Sequence, residues 1–298
     1  MDTNRRSDFG SSIARRGTPA GSCSAFTLTE LLVVLATVGI LALVVLPALA
    51  GTQPGSAKVI QCLNNMRQMA VAWTLYAEDN HDRLVNNFDI TGTQAEISSK
   101  NYRNWSNDVL GWGNTPSITN LDGIRLAPFY QYTMSLVIYR CPADQYLSAL
   151  QMAIGWTARP RSYSMNCFLG PTSLNWTSDG NGFFPNYRQF LKTSAIPAPY
   201  NLYALLEEHP DSINDGYFNN DPSPAIQKWS DLPGSFHAGA CSFAFADGHS
   251  EIHQWKSRVC TILPVRFTTF ATPNFIADTS GAGLRDGQWL ASHSSVLR

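Results

Sequence analysis

Charge is scarce in this chain. Asp, Glu, Lys and Arg make up 14% of its 298 residues and nearly cancel, leaving a net charge of −1. Such a surface has no basic stripe to neutralise phosphates, which excludes a nucleic-acid partner. Familiar catalytic signatures are absent too: there is no GxSxG elbow, no HExxH helix and no phosphate-binding glycine loop. Cysteines are few, at Cys23, Cys62, Cys141, Cys167, Cys241 and Cys260, and none forms a CxxC pair. No pair therefore has the local spacing of a zinc site. A buried structural thiol is the default for each, and Cys62 with Cys141 is the first pairing to test for a disulfide. No internal repeat is evident.

Apolar sequence, by contrast, is concentrated in one place. From Leu31 to Ala50 there are twenty residues without a charge, about 30 Å of helix and the thickness of a bilayer core. The run is longer than the roughly 7–15 apolar residues of a cleaved signal peptide and starts deeper in the chain. Arg5, Arg6, Arg15 and Arg16 precede it against Asp2 and Asp8. The positive-inside bias then predicts a single-pass inner-membrane protein, its N-terminus cytoplasmic and everything after Ala50 periplasmic. Glu30, at the head of the run, either marks the cytoplasmic edge or needs a cationic partner, because a carboxylate in a membrane is costly.

Phe26-Thr27-Leu28-Thr29-Glu30, followed by Leu31-Leu32-Val33-Val34, resembles the prepilin signal of type IV pilins and type II secretion pseudopilins. The resemblance implies cleavage by a prepilin peptidase between Ala25 and Phe26 and N-methylation of Phe26. Glu30 then becomes the fifth mature residue, facing the amino group of a neighbouring pseudopilin subunit during assembly. Ala25 stands where the family has Gly. Further phrases resemble the large-headed pseudopilin-like proteins of planctomycete and verrucomicrobial type. They are NNMRQ (Asn64–Gln68), YAEDN (Tyr76–Asn80), YRCPAD (Tyr139–Asp144), SYSMN (Ser162–Asn166), EEHPDSINDGYF (Glu207–Phe218) and the segment Trp229–Trp255. The last contains His237, nine residues, then Asp247-Gly248, the structural motif for which that group is named.

The expected fold class is α+β: a long N-terminal transmembrane helix packed against an antiparallel β-sheet head, as in pilins. The expected organisation is a cytoplasmic leader (1–25), a transmembrane and assembly helix (26–50), its continuation (51–85) and a periplasmic globular head (86–298). In residues 57–84, Ile60, Leu63, Met66, Met69 or Ala70, Trp73 and Ala77 recur at helical spacing, with Pro54 and Gly55 interrupting the helix before them. Residues 86–120 read as loop. A short helix is expected around Leu126–Tyr132 and short strands at Leu136–Tyr139, 161–169 and Tyr200–Leu206. A hairpin is expected to turn at Asp247-Gly248, with Phe243 and Phe245 on one face.

The densest group of oxygen donors is Glu207, Glu208, Asp211, Asn214 and Asp215, with Asp247 brought near by the hairpin. Three readings stand. Carboxylates and amides at this density suit Ca²⁺, and the resemblance adds that major pseudopilins carry calcium in the head. A His/carboxylate mixture with His209, His237 and His249 suits zinc or manganese. Alternatively, the loop is a turn held by Asx hydrogen bonds. His237 with Asp247 or Glu208 would serve an enzyme as an acid/base pair or a metal-dependent hydrolase site. No nucleophile motif supports that, and the expectation is a non-enzyme. Trp105, Trp112, Trp156, Trp176, Tyr187 and Trp229 suggest a stacking surface for polysaccharide or secreted cargo, the alternative being core plugs beneath long loops. The leading expectation is a pseudopilin-like structural subunit; an anchored periplasmic binding protein is the runner-up.

Overall fold

The computed structural model describes residues 27–38, 54–115, 118, 121–268 and 273–298. Ala25, Phe26 and the apolar run beyond Val38 lie outside the described residues. Residues 28–38 are helical. The helix starts with a reciprocal cap: Glu30 Nα donates to Thr27 Oγ1 at 3.3 Å, and Thr27 Nα and Oγ1 each donate to Glu30 Oε2 at 2.8 Å. This is the Thr-x-x-Glu capping box, which satisfies orphan donors of the first turn. Leu28, Leu31, Leu32, Val33, Val34, Leu35 and Val38 are all exposed on it. Among the described residues no helix is long and apolar enough to cross a membrane.

Residues 54–298 form an α+β unit. Helix α1 (Pro54–Asp79) begins at a proline, whose fixed φ and missing N–H suit a first helical turn. Its buried stripe is Cys62, Asn65, Met66, Met69, Ala70, Ala72, Trp73 and Ala77, which recurs every three to four residues. Met66, Met69, Ala70, Trp73 and Ala77 are buried as expected, whereas Ile60 is 60% exposed and Leu63 only half-buried. Cys62 takes their place as the first core residue. Helix α2 (Ile90–Ser99) lies within the stretch that reads as loop. Asp89 caps it by accepting from Gly92 Nα at 2.9 Å. Only Thr93 and Glu96 are buried in it, so no apolar stripe signals it. Single turns follow at Asp122–Arg125 and Tyr130–Thr133. Val137–Tyr139 is a 3₁₀ turn rather than a strand, with Ile138 and Tyr139 buried in succession and no strand-like alternation.

Five strands follow: β1 (Tyr163–Asn166), β2 (Tyr203–Glu207), β3 (Tyr217–Phe218), β4 (Ala240–Phe245) and β5 (Ser250–Gln254). Their order is β3-β1-β2-β4-β5. Three pairings are antiparallel, but β1 and β3 run parallel, so the sheet is mixed rather than antiparallel. The two-residue β3 arrives after the long Glu208–Gly216 excursion, which returns the chain in the direction of β1. Helix α3 (Ala282–Ser292) covers the second face and opens at Gly281 with φ +69°.

Strand β4 shows how one segment feeds two cores. Ala244 joins α1, Met165 and Leu205 on one face. Cys241, Phe243 and Phe245 join Tyr203, Leu206, Trp229, Trp255 and Leu290 on the other. Small side chains on one side let a helix lie close, while aromatics fill the other, as strand alternation requires. After β4, Phe245 Nα donates to His249 O at 2.9 Å around Ala246, Asp247 and Gly248, and Gly248 Nα donates back to Phe245 O at 3.0 Å, with Gly248 at φ +95°. The turn therefore spans three residues rather than two, with glycine in the left-handed position.

Phe243 is wholly buried, with ring centroids of Trp289, Tyr203 and Trp255 at 5.2, 5.7 and 6.0 Å. Phe243→Ala is expected to cost about 3–5 kcal/mol in urea unfolding. Val71→Ala, on the exposed face of α1, is expected to stay within about 0.5 kcal/mol.

Candidate functional site

Four side chains from four separate segments meet under α1. Cys62 comes from the third turn of α1 and Glu207 from the end of β2. Cys141 follows the 3₁₀ turn, and His237 sits in the turn before β4. Their donor atoms all lie within 4.8 Å of one another, and among the described residues they are the one group of three or more His, Cys, Asp or Glu so arranged. Glu207 Oε1 is the hub: Cys62 Sγ donates to it at 2.9 Å, and His237 Nε2 lies 3.0 Å away. Cys141 Sγ is 3.4 Å from the same Nε2. The other carboxylate oxygen, Oε2, accepts from Ser242 Nα at 2.8 Å.

Local structure explains each placement. Asn65 Nδ2 donates to Arg140 O at 3.0 Å, pinning the Cys141 segment against α1. In Cys141-Pro142-Ala143-Asp144 the turn closes by Asp144 Nα to Cys141 O, and Ala143 Nα donates to Cys141 Sγ at 3.3 Å. Tyr163 Oη lies 3.2 Å from Cys62 Sγ. His237 is held by backbone bonds in both directions with Ala240. The turn between them needs left-handed backbone at Ala238 (φ +55°) and Gly239 (φ +88°), and glycine adopts that conformation without strain.

Burial pushes the Cys141 thiol well above its ordinary range, reinforced by Cys62 and Glu207. Burial alone would pull His237 down, yet its bonds with Cys62 and Glu207 hold it up at about 10. The imidazole thus carries a proton at neutral pH and pairs with the carboxylate. The anticipated Cys62–Cys141 disulfide is not formed; the five described cysteines are free. The two thiols nevertheless belong to one cluster.

The oxygen-rich group expected to bind Ca²⁺ does not converge. Glu207 and Glu208 are successive residues of an extended chain and leave it in opposite directions. Glu208 accepts from Ser164 Oγ at 2.5 Å and Ser212 Oγ at 2.8 Å, and burial raises it to about 8. Asp211 accepts from Trp112 Nε1 at 2.9 Å and Arg266 Nα at 2.6 Å. Asp215 Oδ1 accepts from Tyr217 Nα, and Asn214 Oδ1 from Asp215 Nα, each at 2.7 Å. These are the hydrogen bonds of an Asx-held loop. His209 is bound within it, its Nδ1 accepting from Asp211 Nα at 3.2 Å and its Nε2 donating to Leu263 O at 3.1 Å.

The His-x9-Asp-Gly spacing brackets a strand. His237 precedes β4 and Asp247-Gly248 follows it, so six strand residues, about 20 Å, separate them. Asp247 instead bonds His249 Nδ1 at 2.6 Å, on the exposed hairpin tip. His237 and Asp247 are therefore no acid/base pair, and His237 pairs with Glu207 rather than Glu208. The aromatic side chains do not form one stacking surface. Trp105 and Trp229 are wholly buried, and Trp112, Trp156, Trp176 and Tyr187 are half-buried.

A second buried network supports the Glu208 side of the sheet. Arg161 Nε donates to Asp108 at 3.2 Å, Nη1 to Tyr163 O at 2.5 Å and Ser164 Oγ at 3.0 Å, and Nη2 to Asp215 O at 2.7 Å. Arg159 similarly donates to Asp144 at 2.9 Å and Pro210 O at 3.1 Å. The Cys-Pro-Ala-Asp turn thus delivers Cys141 to one cluster and Asp144 to the other. Glu207 and His237 stand out in the sequence as candidate ligands, whereas Cys62 and Cys141 stand out only as a candidate disulfide. The one available signal was the pairing of those two cysteines.

Comparison with protein-family models, curated proteins and solved structures returns no match for this chain.

Both Arg161 and Asp108 have no solvent exposure in their side chains. Asp108→Ala leaves a buried guanidinium without its counter-charge and is expected to cost about 3–5 kcal/mol. Asp247→Ala, at the exposed hairpin tip, is expected to change stability by less than about 0.5 kcal/mol. Chemical denaturation of the two variants side by side measures the difference.

Proposed function

We propose that this chain is a pseudopilin-like structural subunit, anchored in the inner membrane by its N-terminal segment, with its head on the periplasmic side. The observation that carries this reading is the order of residues 26–50: Phe26, then a helix-starting Thr27-x-x-Glu30, then twenty residues without a charge. The described part of that segment supports it. Residues 28–38 are helical, begin in a capping box, and present leucine and valine outward with no partner among the described residues. Such a helix needs an apolar surrounding, which lipid or packed neighbouring helices supply.

Within this reading, prepilin peptidase cuts between Ala25 and Phe26 and methylates the new terminus. The apolar helix packs against those of other subunits, and Glu30 sets register by pairing with a neighbour's amino group. The capping bond and the intersubunit bond use different oxygens, since Thr27 occupies Oε2. The head acts as a rigid periplasmic body whose interior is fixed by buried charge networks, and it carries no catalytic role. Secreted cargo or polysaccharide is the partner class for its surface.

Two measurements test the reading. Mass spectrometry of the purified protein is expected to find N-methylated Phe26 at the terminus, and the leader retained in a peptidase-deficient host. Glu30→Ala is expected to remain in the membrane fraction yet lose cross-linking to wild-type subunits. An intact leader in the wild-type host, or undiminished cross-linking, contradicts the proposal.

A further inference from the structure

The cluster of Cys62, Cys141, Glu207 and His237 has the composition and dimensions of a closed metal site. We propose that these four side chains bind one Zn²⁺ ion, a structural centre that fastens α1 to the sheet. The proposal does not rest on the anchored-subunit reading, and either can fail without the other.

Geometry is the first support. A tetrahedral zinc ion with bonds of about 2.0–2.3 Å holds its ligand atoms about 3.3–3.8 Å apart. Here Cys62 Sγ to Glu207 Oε1 is 2.9 Å, Glu207 Oε1 to His237 Nε2 is 3.0 Å and His237 Nε2 to Cys141 Sγ is 3.4 Å, with every pair inside 4.8 Å. Small outward movements of the side chains open this group to the tetrahedral size. Four protein ligands complete the coordination, which marks a structural site; a catalytic zinc keeps a position for water.

Donor chemistry selects the metal. Calcium and magnesium take oxygen ligands, whereas two thiolates, an imidazole and one carboxylate suit zinc. On binding, the metal takes the place of the thiol protons of Cys62 and Cys141 and the proton on His237 Nε2. Those protons pass to solvent. Two thiolates and a carboxylate against Zn²⁺ leave a single negative charge.

The surrounding bonds are those a zinc site requires. Ser242 Nα holds Glu207 Oε2, which leaves Oε1 facing the two sulfur ligands and the imidazole as a single-oxygen ligand. Ala143 Nα donates to Cys141 Sγ, and Tyr163 Oη, wholly buried, can donate to Cys62 Sγ. Outer bonds of this kind orient ligands and offset thiolate charge. The site also spans sequence separations of 96 and 145 residues in its internal contacts, so one ion ties together four segments that no local spacing links.

The test uses the full-length protein in detergent. Elemental analysis by mass spectrometry is expected to find one zinc per chain, lost in the Cys62→Ser/Cys141→Ser double variant. Removal by chelator is expected to lower the melting temperature, and added Zn²⁺ to restore it. Cobalt(II) added to the chelated wild type should give tetrahedral ligand-field bands and sulfur-to-cobalt charge transfer, a readout independent of whether the variants fold. Tyr163→Phe is expected to weaken zinc affinity by about tenfold. Zinc retained by a folded double variant, cobalt bound without sulfur charge transfer, or a Cys62–Cys141 disulfide in the isolated protein each overturns the proposal.

Discussion

The carboxylate of Glu207 is the constraint around which the folded unit of residues 54–298 is organised. It has no solvent exposure, and a buried carboxylate is tolerable only when its lone pairs are occupied and its charge is met. One oxygen takes the β4 backbone through Ser242, the other takes Cys62 from α1 and His237 from the preceding turn. Its own carbonyl accepts from Gly234 Nα at 2.7 Å. Moving α1, β2 or β4 independently would strand at least one of these groups. The helix is therefore oriented on the sheet by a polar point contact as well as by apolar burial, which is not directional.

A similar logic runs through the loops. Long connections between strands would ordinarily leave backbone groups unsatisfied once buried. Arg161 and Arg159 occupy carbonyls of Tyr163, Asp215 and Pro210 while their charges are met by Asp108 and Asp144. Low overall charge is thus accompanied by charge used internally: Arg161 ties the Asp108 loop to β1, and Arg159 ties the Asp144 and Pro210 loops together.

The hairpin β4–β5 and the strand β2 were legible because alternation and turn chemistry are local. Helix α1 was legible in existence and over most of its buried stripe, Met66 to Ala77, but not at its start. At that end Cys62 and Asn65 are the buried residues, whereas a count of large apolar residues points toward Ile60 and Leu63. Helix α2 and the parallel strand β3 left no pattern: one buries only Thr93 and Glu96, the other is two residues long. The four-ligand cluster was half legible. Glu207, His237 and Cys141 lie in motif-like phrases and Cys62 does not, and the four become one ligand set only when the topology brings distant segments together. The oxygen-rich loop was conspicuous in sequence for a different reason, since Asp and Asn at short spacing were closing turns.

The nine residues between His237 and Asp247 measure a length. Their interval holds one left-handed turn, one strand and the entry to the next turn, and a strand has period two. Removing a single residue from β4 would shift its downstream positions by one and exchange the two faces of the sheet. Phe243 or Phe245 would then be driven against α1, and alanine would be left opposite Trp289. Reagents in a site can be exchanged one at a time, whereas a spacing of this kind tolerates substitution far better than insertion.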